Sequence, residues 1–285
     1  MNHGKRIAFF GTPPFTTRFL DTLLKEGYAP SLIVTNPDRP YGRGMQLRSP
    51  EPKLWGDAHG IRVLQPEQVD DAFMSELSKE PWDLFVVVAY GHILPESLIT
   101  LPVHGTINVH YSLLPAYRGA TPVESAILSD DEATGVCVQQ MRFALDLGPI
   151  LASREVPISL RDTTETLREK LNDEALEMLP RTLTSLLEGS ASWTEQDEHL
   201  ATYCKKIKKG DGKLTLSDDP LVNDRKFRAY TSSPGTFFIA QKNGSDIRVK
   251  IKSAHLEDGR FVLDIVIPEN GKPMDGEVFA RWVNA

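Results

Sequence analysis

Asn108-Val109-His110 sets an amide and an imidazole two residues apart at the end of Gly105–His110, a stretch that reads as a strand. Residues i and i+2 of a strand share a face, so the two side chains project side by side. The pair suits acyl transfer to an amine: Asn can donate to a developing oxyanion, and His can manage a proton at neutral pH. An acid nearby would hold the imidazole in one tautomer. Asp146, in Leu145-Asp146-Leu147-Gly148 just after the strand-like Gly135–Met141, is the candidate. Taken alone, Asn-x-His reads more readily as a structural strand end. The next segment, Ser112-Leu113-Leu114-Pro115-Ala116-Tyr117-Arg118-Gly119, tips that balance. It sets apolar side chains and a fixed backbone beside the polar pair, as a flat heterocycle requires, before Pro122 opens a helix. A hydrophobic staple accounts for the leucines and the proline but not for Arg118-Gly119.

The elements that must position these residues alternate short β-rich runs with amphipathic stretches over the first ~160 residues, the pattern of a βαβ-type parallel sheet. Arg6–Phe10 reads as a buried strand closed by Gly11-Thr12-Pro13-Pro14, and a helix follows with Phe15, Phe19, Leu20 and Leu23 on one face. Ser31–Thr35 is a second strand, and Leu84–Ala89 is a continuous apolar run suited to a central one. Asn36–Pro50 holds three prolines and two glycines, too many breakers for a helix or a central strand. Thr163–Leu187 reads as a helix capped by Asp162/Thr163 and interrupted near Pro180. Beyond the polar stretch Glu188–Thr202, short strands at Thr236–Ala240, Asp246–Ile251 and Phe261–Ile267 read as a small β-barrel or sandwich. The expected organisation is a catalytic α/β domain over 1–188, a linker over 189–204 and a β-domain over 205–285.

A length of 285 residues suits one large and one smaller domain, and no apolar run approaches the ~20 residues that span a bilayer. The N-terminus leads straight into a strand rather than a signal-peptide segment. Cys137 and Cys204 stand far apart without CxxC or His spacing, against a disulfide framework or a zinc site. A cytoplasmic protein is expected. The net charge of −7 hides an asymmetry: residues 201–285 carry 15 Lys and Arg against 11 Asp and Glu, net +4, leaving 17 against 28, net −11, for the rest. A basic tail on an acidic body suits one domain that handles a polyanion and another that does chemistry. Arg43, in Gly42-Arg43-Gly44, with Arg39 and Arg48 in the same breaker-rich loop, can serve as phosphate contacts. Lys205, Lys206, Lys208 and Lys209 form a basic cluster where the linker meets the β-domain.

Asn108-Val109-His110, Ser112–Pro115, Arg118-Gly119 and Asp146 together resemble the signature of the formyltransferases that use 10-formyltetrahydrofolate. Further stretches resemble the methionyl-tRNA formyltransferase family within them: Phe10–Pro13, Asn36–Gly44, Val87–Pro95, Ala201–Ile207, Arg228-Ala229-Tyr230 with Pro234–Phe238, and Pro268–Met274. The similarity runs from about residue 6 to the C-terminus. It implies a Rossmann-like parallel-sheet formyltransferase domain followed by a small OB-like β-barrel. It implies catalysis by Asn108, His110 and Asp146, with no metal. It implies a folate donor lying against Tyr90, Gly91, Ile93 and Leu94, against Ser112, Leu113, Leu114 and Pro115, and against the Arg142–Gly148 loop. The implied acceptor is the α-amine of initiator methionyl-tRNA, reached by a monomer, with the Arg43 loop at the acceptor end of the tRNA.

Around the acid the family often reads Asp-x-Gly-Leu-Asp-Thr-Gly, whereas here the run is Arg142-Phe143-Ala144-Leu145-Asp146-Leu147-Gly148. If the replaced glycine needs positive φ, Ala144 is strained. The C-terminal domain is also shorter than usual. A sugar-nucleotide N-formyltransferase would share the trio but not the Gly-Arg-Gly loop or the basic β-domain. Glycinamide ribonucleotide formyltransferases stop near residue 200. A nicotinamide dehydrogenase needs a G-x-G-x-x-G after Phe10, which is absent. A non-catalytic tRNA-binding relative would require that the loop through Ala144 no longer binds folate.

Overall fold

The computed structural model describes residues 4–41 and 45–283. β1 (Ile7–Gly11) is buried at every position and feeds α1 (Thr16–Lys25), which turns Phe19, Leu20 and Leu23 inward. β2 (Leu32–Val34) is followed by a short hairpin, β3 (Arg39–Tyr41) and β4 (Gln46–Arg48), within the breaker-rich stretch. α2 (Glu51–Ala58) has proline in its first turn, where a missing N–H costs nothing. β5 (Arg62–Leu64) precedes α3 (Asp71–Leu77), which Asp70 caps by accepting from the Phe73 N–H at 2.9 Å. β6 (Leu84–Val88), α4 (Glu96–Ile99) and β7 (Thr106–His110) complete the parallel half. Next come β8 (Arg118–Gly119), α5 (Pro122–Leu128), β9 (Ala133–Gln140), β10 (Ile150–Pro157) and α6 (Thr164–Leu187). The rest holds β11 (Tyr203–Cys204), α7 (Pro220–Ala229), β12 (Phe237–Lys242), β13 (Ser245–Glu257), β14 (Arg260–Pro268), β15 (Met274–Asp275) and α8 (Gly276–Val283).

The large sheet has seven strands in the order β10-β9-β7-β6-β1-β2-β5. From β5 to β7 the pairs are parallel, and the chain reverses its direction of travel across the sheet between β1 and β6. Ligands of open α/β sheets bind at the carboxyl ends beside such a reversal. β9 departs from the expected parallel pattern: it runs antiparallel to β7, with Asn108 opposite Gln139 and His110 opposite Cys137. The chain therefore leaves β9 at the end of β7 away from His110, where Met141 N–H bonds the Thr106 carbonyl at 2.7 Å.

Contacts divide the chain into two compact units that do not follow chain order. One is built from 1–118, 135–155 and 171–202, the other from 119–134, 156–170 and 203–285. The core of the first includes Ala8, Phe10, Leu32, Val34, Phe85 and Val87. The second packs Leu214, Phe227, Phe238, Val249, Val266 and Phe279 around an antiparallel sheet of order β12-β13-β14-β15. A bulge interrupts β13 between Ile251 and Ala254.

Two expectations change. α6 runs unbroken through Pro180 rather than being interrupted there, so the lost backbone bond is absorbed within one helix. Its start is capped as read: Thr166 N–H donates to Thr163 Oγ1 at 3.4 Å. The polar stretch after α6 does more than connect. Thr194 exchanges backbone hydrogen bonds with Ile150 at 2.8 and 2.9 Å, and Thr202 N–H reaches the Pro115 carbonyl at 3.2 Å. Among the described residues no helix is long and apolar enough to cross a membrane.

Candidate active site

Strand β7 carries Asn108 and His110 on one sheet face, and the antiparallel register sets Gln139 directly across from Asn108. The imidazole of His110 is 5% exposed. Its Nε2 lies 3.0 Å from the Tyr117 carbonyl oxygen. A carbonyl only accepts, so Nε2 carries the hydrogen and Nδ1 is the atom left to face other groups. The group it faces is Asp146, whose Oδ1 lies 3.7 Å from Nδ1. The three residues singled out for chemistry are thus brought to one face of the sheet.

Asp146 gets there because the loop after β9 folds back over that face. The loop is closed at its base by Gln140 N–H to the Pro149 carbonyl at 2.9 Å. Gln139, 1% exposed, donates from Nε2 to Asp146 Oδ1 at 2.9 Å, the oxygen that also faces His110. The residue with positive φ in this loop is Asp146 itself, at 50°, not Ala144. The expected strain at Ala144 is therefore absent, because the αL turn falls two residues later on a side-chain type that tolerates it. Asn108 is half-buried, and its amide makes no hydrogen bond among the described residues, leaving two N–H donors for another partner.

The residues implied for folate have several placements. Tyr90 and Leu94 turn into the hydrophobic core, where the Tyr90 ring meets Phe10 edge-on at 5.5 Å. Burial pushes the Tyr90 hydroxyl up to about 12, and that hydroxyl has no hydrogen-bond partner among the described residues. Ser112 is fully buried and donates to the Ala116 carbonyl at 2.6 Å, so it fastens its own turn. Leu114 is buried, while Leu113 and Pro115 are half-exposed. Gly91 has φ +85 and open space where a Cβ would stand. Ile93 is 85% exposed, and Arg142 pairs with Glu195 at 2.8 Å. Phe143 and Leu145 stand out from the loop beside Asp146, both more than half exposed.

Of the cations proposed to meet a polyanion, Arg39 pairs with Glu67 at 2.8 Å and Arg48 with Glu51 at 2.6 Å. Such exposed pairs are worth roughly 0–1 kcal/mol, and a phosphate can compete for them. Arg43 lies outside the described residues. Lys205, Lys206, Lys208 and Lys209 are all exposed. On β13, Arg248, Lys250 and Lys252 alternate outward with the buried Val249 and Ile251.

Three participants escape a reading of the sequence: Gln139, Gln196 and the Tyr117 carbonyl. Gln139 has a faint signal, a polar residue at the end of an apolar strand. Its meaning depends on the β7–β9 register, which spacing alone does not reveal. Gln196 sits in the stretch taken for a linker, yet it donates to the carbonyls of Asp146 and Gly148 at 2.8 and 2.7 Å.

A family model described as formyl transferase matches residues 5–183. The methionyl-tRNA formyltransferase of Anaeromyxobacter dehalogenans strain 2CP-C is 39% identical over 276 residues, covering 96% of this chain and 85% of that one. That of Geobacter sulfurreducens is 36% identical over 261 residues, covering 91% and 82%. Among solved structures, the sugar 3N-formyl transferase WlaRD, determined with dTDP and 5-N-formyl-THF, aligns over 96% of both chains at TM-score 0.64 and 16% identity. Phosphoribosylglycinamide formyltransferase of Bacillus halodurans aligns over 64% of this chain and 95% of its own at TM-score 0.56 and 24% identity. At those identities the two structures bear on the fold alone.

Proposed function

The chain belongs to the methionyl-tRNA formyltransferases of the formyl transferase family, and on that premise we propose that Asn108, His110 and Asp146 carry its reaction. The enzyme transfers a formyl group from 10-formyltetrahydrofolate to the α-amine of initiator methionyl-tRNA. The observation that carries the site assignment is His110 Nδ1 at 3.7 Å from Asp146 Oδ1, on the sheet face that also presents the unpaired Asn108 amide.

The amine nitrogen attacks the formyl carbon, and the carbonyl electron pair moves onto oxygen. An Asn108 N–H meets that oxyanion, where a fixed donor contributes most because it needs no reorganisation. Collapse restores the carbonyl and breaks the bond from the formyl carbon to N10 of the folate. The amine nitrogen gives up a proton and N10 takes one, so the step balances without an outside acid. His110 has Nε2 occupied by the Tyr117 carbonyl, so Nδ1 is its atom for moving that proton, with Asp146 supporting the charged ring.

The folate lies against the exposed backbone at Gly91 and the side chains of Ile93 and Leu113, with the Arg142–Gly148 loop over it. Tyr90, Leu94, Ser112, Leu114 and Pro115 build the wall behind. The tRNA meets the net-basic stretch 201–285, for which the exposed Lys205, Lys206, Lys208 and Lys209 and the outward cations of β13 are the support, and Arg39 and Arg43 meet its acceptor end. The antiparallel strands there are read as an OB-like barrel, supported by the bulge that curves β13. The enzyme works as a cytoplasmic monomer. Assay of formyl transfer from 10-formyltetrahydrofolate to methionyl-tRNA, beside a free amino sugar nucleotide, tests the reading. Transfer to the amino sugar without transfer to the charged tRNA would overturn it.

A further inference from the structure

The acid of the His110–Asp146 pair stands in a loop, on left-handed backbone. Asp146 has φ +50, in the left-handed region, and besides the Gln140–Pro149 bond at its base the loop is tied to the sheet by Gln139 Nε2 on Asp146 Oδ1. Its crest is held from outside. Gln196 Nε2 donates to the carbonyls of both Asp146 and Gly148, at 2.8 and 2.7 Å, gripping the backbone on either side of Leu147.

The other end of that amide is fixed as firmly. Gln196 Oε1 accepts from Arg118 Nε at 3.0 Å and from Nη2 at 2.7 Å. Arg118 is fully buried, and Glu198 takes the remaining face of its guanidinium with bonds of 2.7 and 3.1 Å. The guanidinium only donates, so it dictates which way the Gln196 amide points: oxygen to Arg118, nitrogen to the loop. Glu198 sets a carboxylate against the buried cation at 2.7 Å. One residue earlier, the Tyr117 carbonyl fixes His110. Adjacent residues of one segment therefore hold both partners, Tyr117 the imidazole and Arg118, through Gln196, the acid.

We propose that Gln196, oriented by Arg118 and Glu198, is a positioning residue that sets Asp146 against His110 for formyl transfer. The inference rests on the reading of His110 and Asp146 as the proton-handling pair. The Nδ1 to Oδ1 separation already exceeds hydrogen-bond length, so further drift of the loop would uncouple the two groups.

The test is a double-mutant cycle on the full chain, with kcat and both KM values measured for transfer from 10-formyltetrahydrofolate to methionyl-tRNA and thermal midpoints recorded. Gln196→Ala removes the clamp. Gln196→Glu keeps an acceptor for Arg118 but loses both donors to the loop, which separates positioning from packing. Each change should lower kcat by about 10- to 100-fold, the scale of a misplacement near 1 Å, with both KM values within about twofold. In an Asp146→Asn background the same changes should cost less than about twofold, because residues acting through one group are not additive. Wild-type kcat in both Gln196 variants, or an equal loss in both backgrounds, overturns the positioning role while leaving the catalytic reading intact. Undiminished turnover in Asp146→Asn alone overturns the catalytic reading, and the inference with it.

Discussion

Asn108 and His110 sit two apart on β7, and that spacing is why they are legible at the scale of single residues: strand periodicity alone aims them together. Asp146 is legible as an acid following a strand. The groups that fasten His110 and Asp146 are not, because each depends on a partner distant in the chain. Gln139 matters through an antiparallel pairing, Gln196 through a loop some fifty residues earlier, and Tyr117 through a carbonyl that no side-chain motif encodes. The unpartnered amide of Asn108 permits a clean experiment at this scale. Asn108→Ala removes a donor that supports nothing in the fold, so kcat should fall by roughly 10²-fold or more with the thermal midpoint unchanged. Normal turnover in that variant would take Asn108 out of the mechanism.

At the scale of elements, the strands of the parallel half and the long helix α6 were visible as apolar runs and caps. The antiparallel course of β9 was not, since direction leaves no trace in a hydrophobic pattern, and the passage of α6 through Pro180 shows packing overriding a local breaker. The loop after β9 is where the family comparison pointed to the wrong residue. Its tight requirement lies at Gly148, where an added Cβ would run into the Gln140 carbonyl, and not at Ala144. Gly148→Ala should cost about 1–3 kcal/mol of stability by denaturant titration and lower kcat, because the loop must shift to accommodate the methyl group. Ala144→Gly should raise neither stability nor activity. At the start of α6, burial pushes the Asp162 carboxyl up, but Lys170, the Ser159 N–H and Thr166 outweigh it and hold the value below the usual carboxylate range. A depressed folded value means stability present above the unfolded value of about 3.9 and lost as pH falls through the folded one. Asp162→Asn should therefore be less stable than the parent near neutrality, and the difference should shrink as unfolding is measured toward pH 3. A difference that stays constant across that range would mean that packing, not charge, fixes the cap.

For the molecule as a whole, the charge split at residue 201 follows chain order, whereas the two compact units are discontinuous along the chain. The compact second unit draws in 119–134 and 156–170, because α5 packs on α7 and Arg168 pairs with Glu124 at 3.0 Å, contacts that no linker composition announces. The net −7 of the chain would repel a polyanion at long range, so productive binding of tRNA has to come from the local +4 of residues 201–285. Binding of that kind is driven by release of counterions from the nucleic acid. The kcat/KM for methionyl-tRNA should then fall steeply with added salt, while the KM for 10-formyltetrahydrofolate stays nearly flat. Each phosphate contact removed should flatten the log–log slope by roughly 0.7–0.9. Lys205→Ala with Lys206→Ala tests the basic cluster before the β-domain, and Lys250→Ala with Lys252→Ala tests the outward row of β13. A slope that flattens only in the second pair would move the tRNA from the Lys205–Lys206 cluster onto the sheet. An unchanged slope in both would assign the electrostatic contact to the acidic first unit, where Arg39 and Arg48 must first give up Glu67 and Glu51 to reach a phosphate.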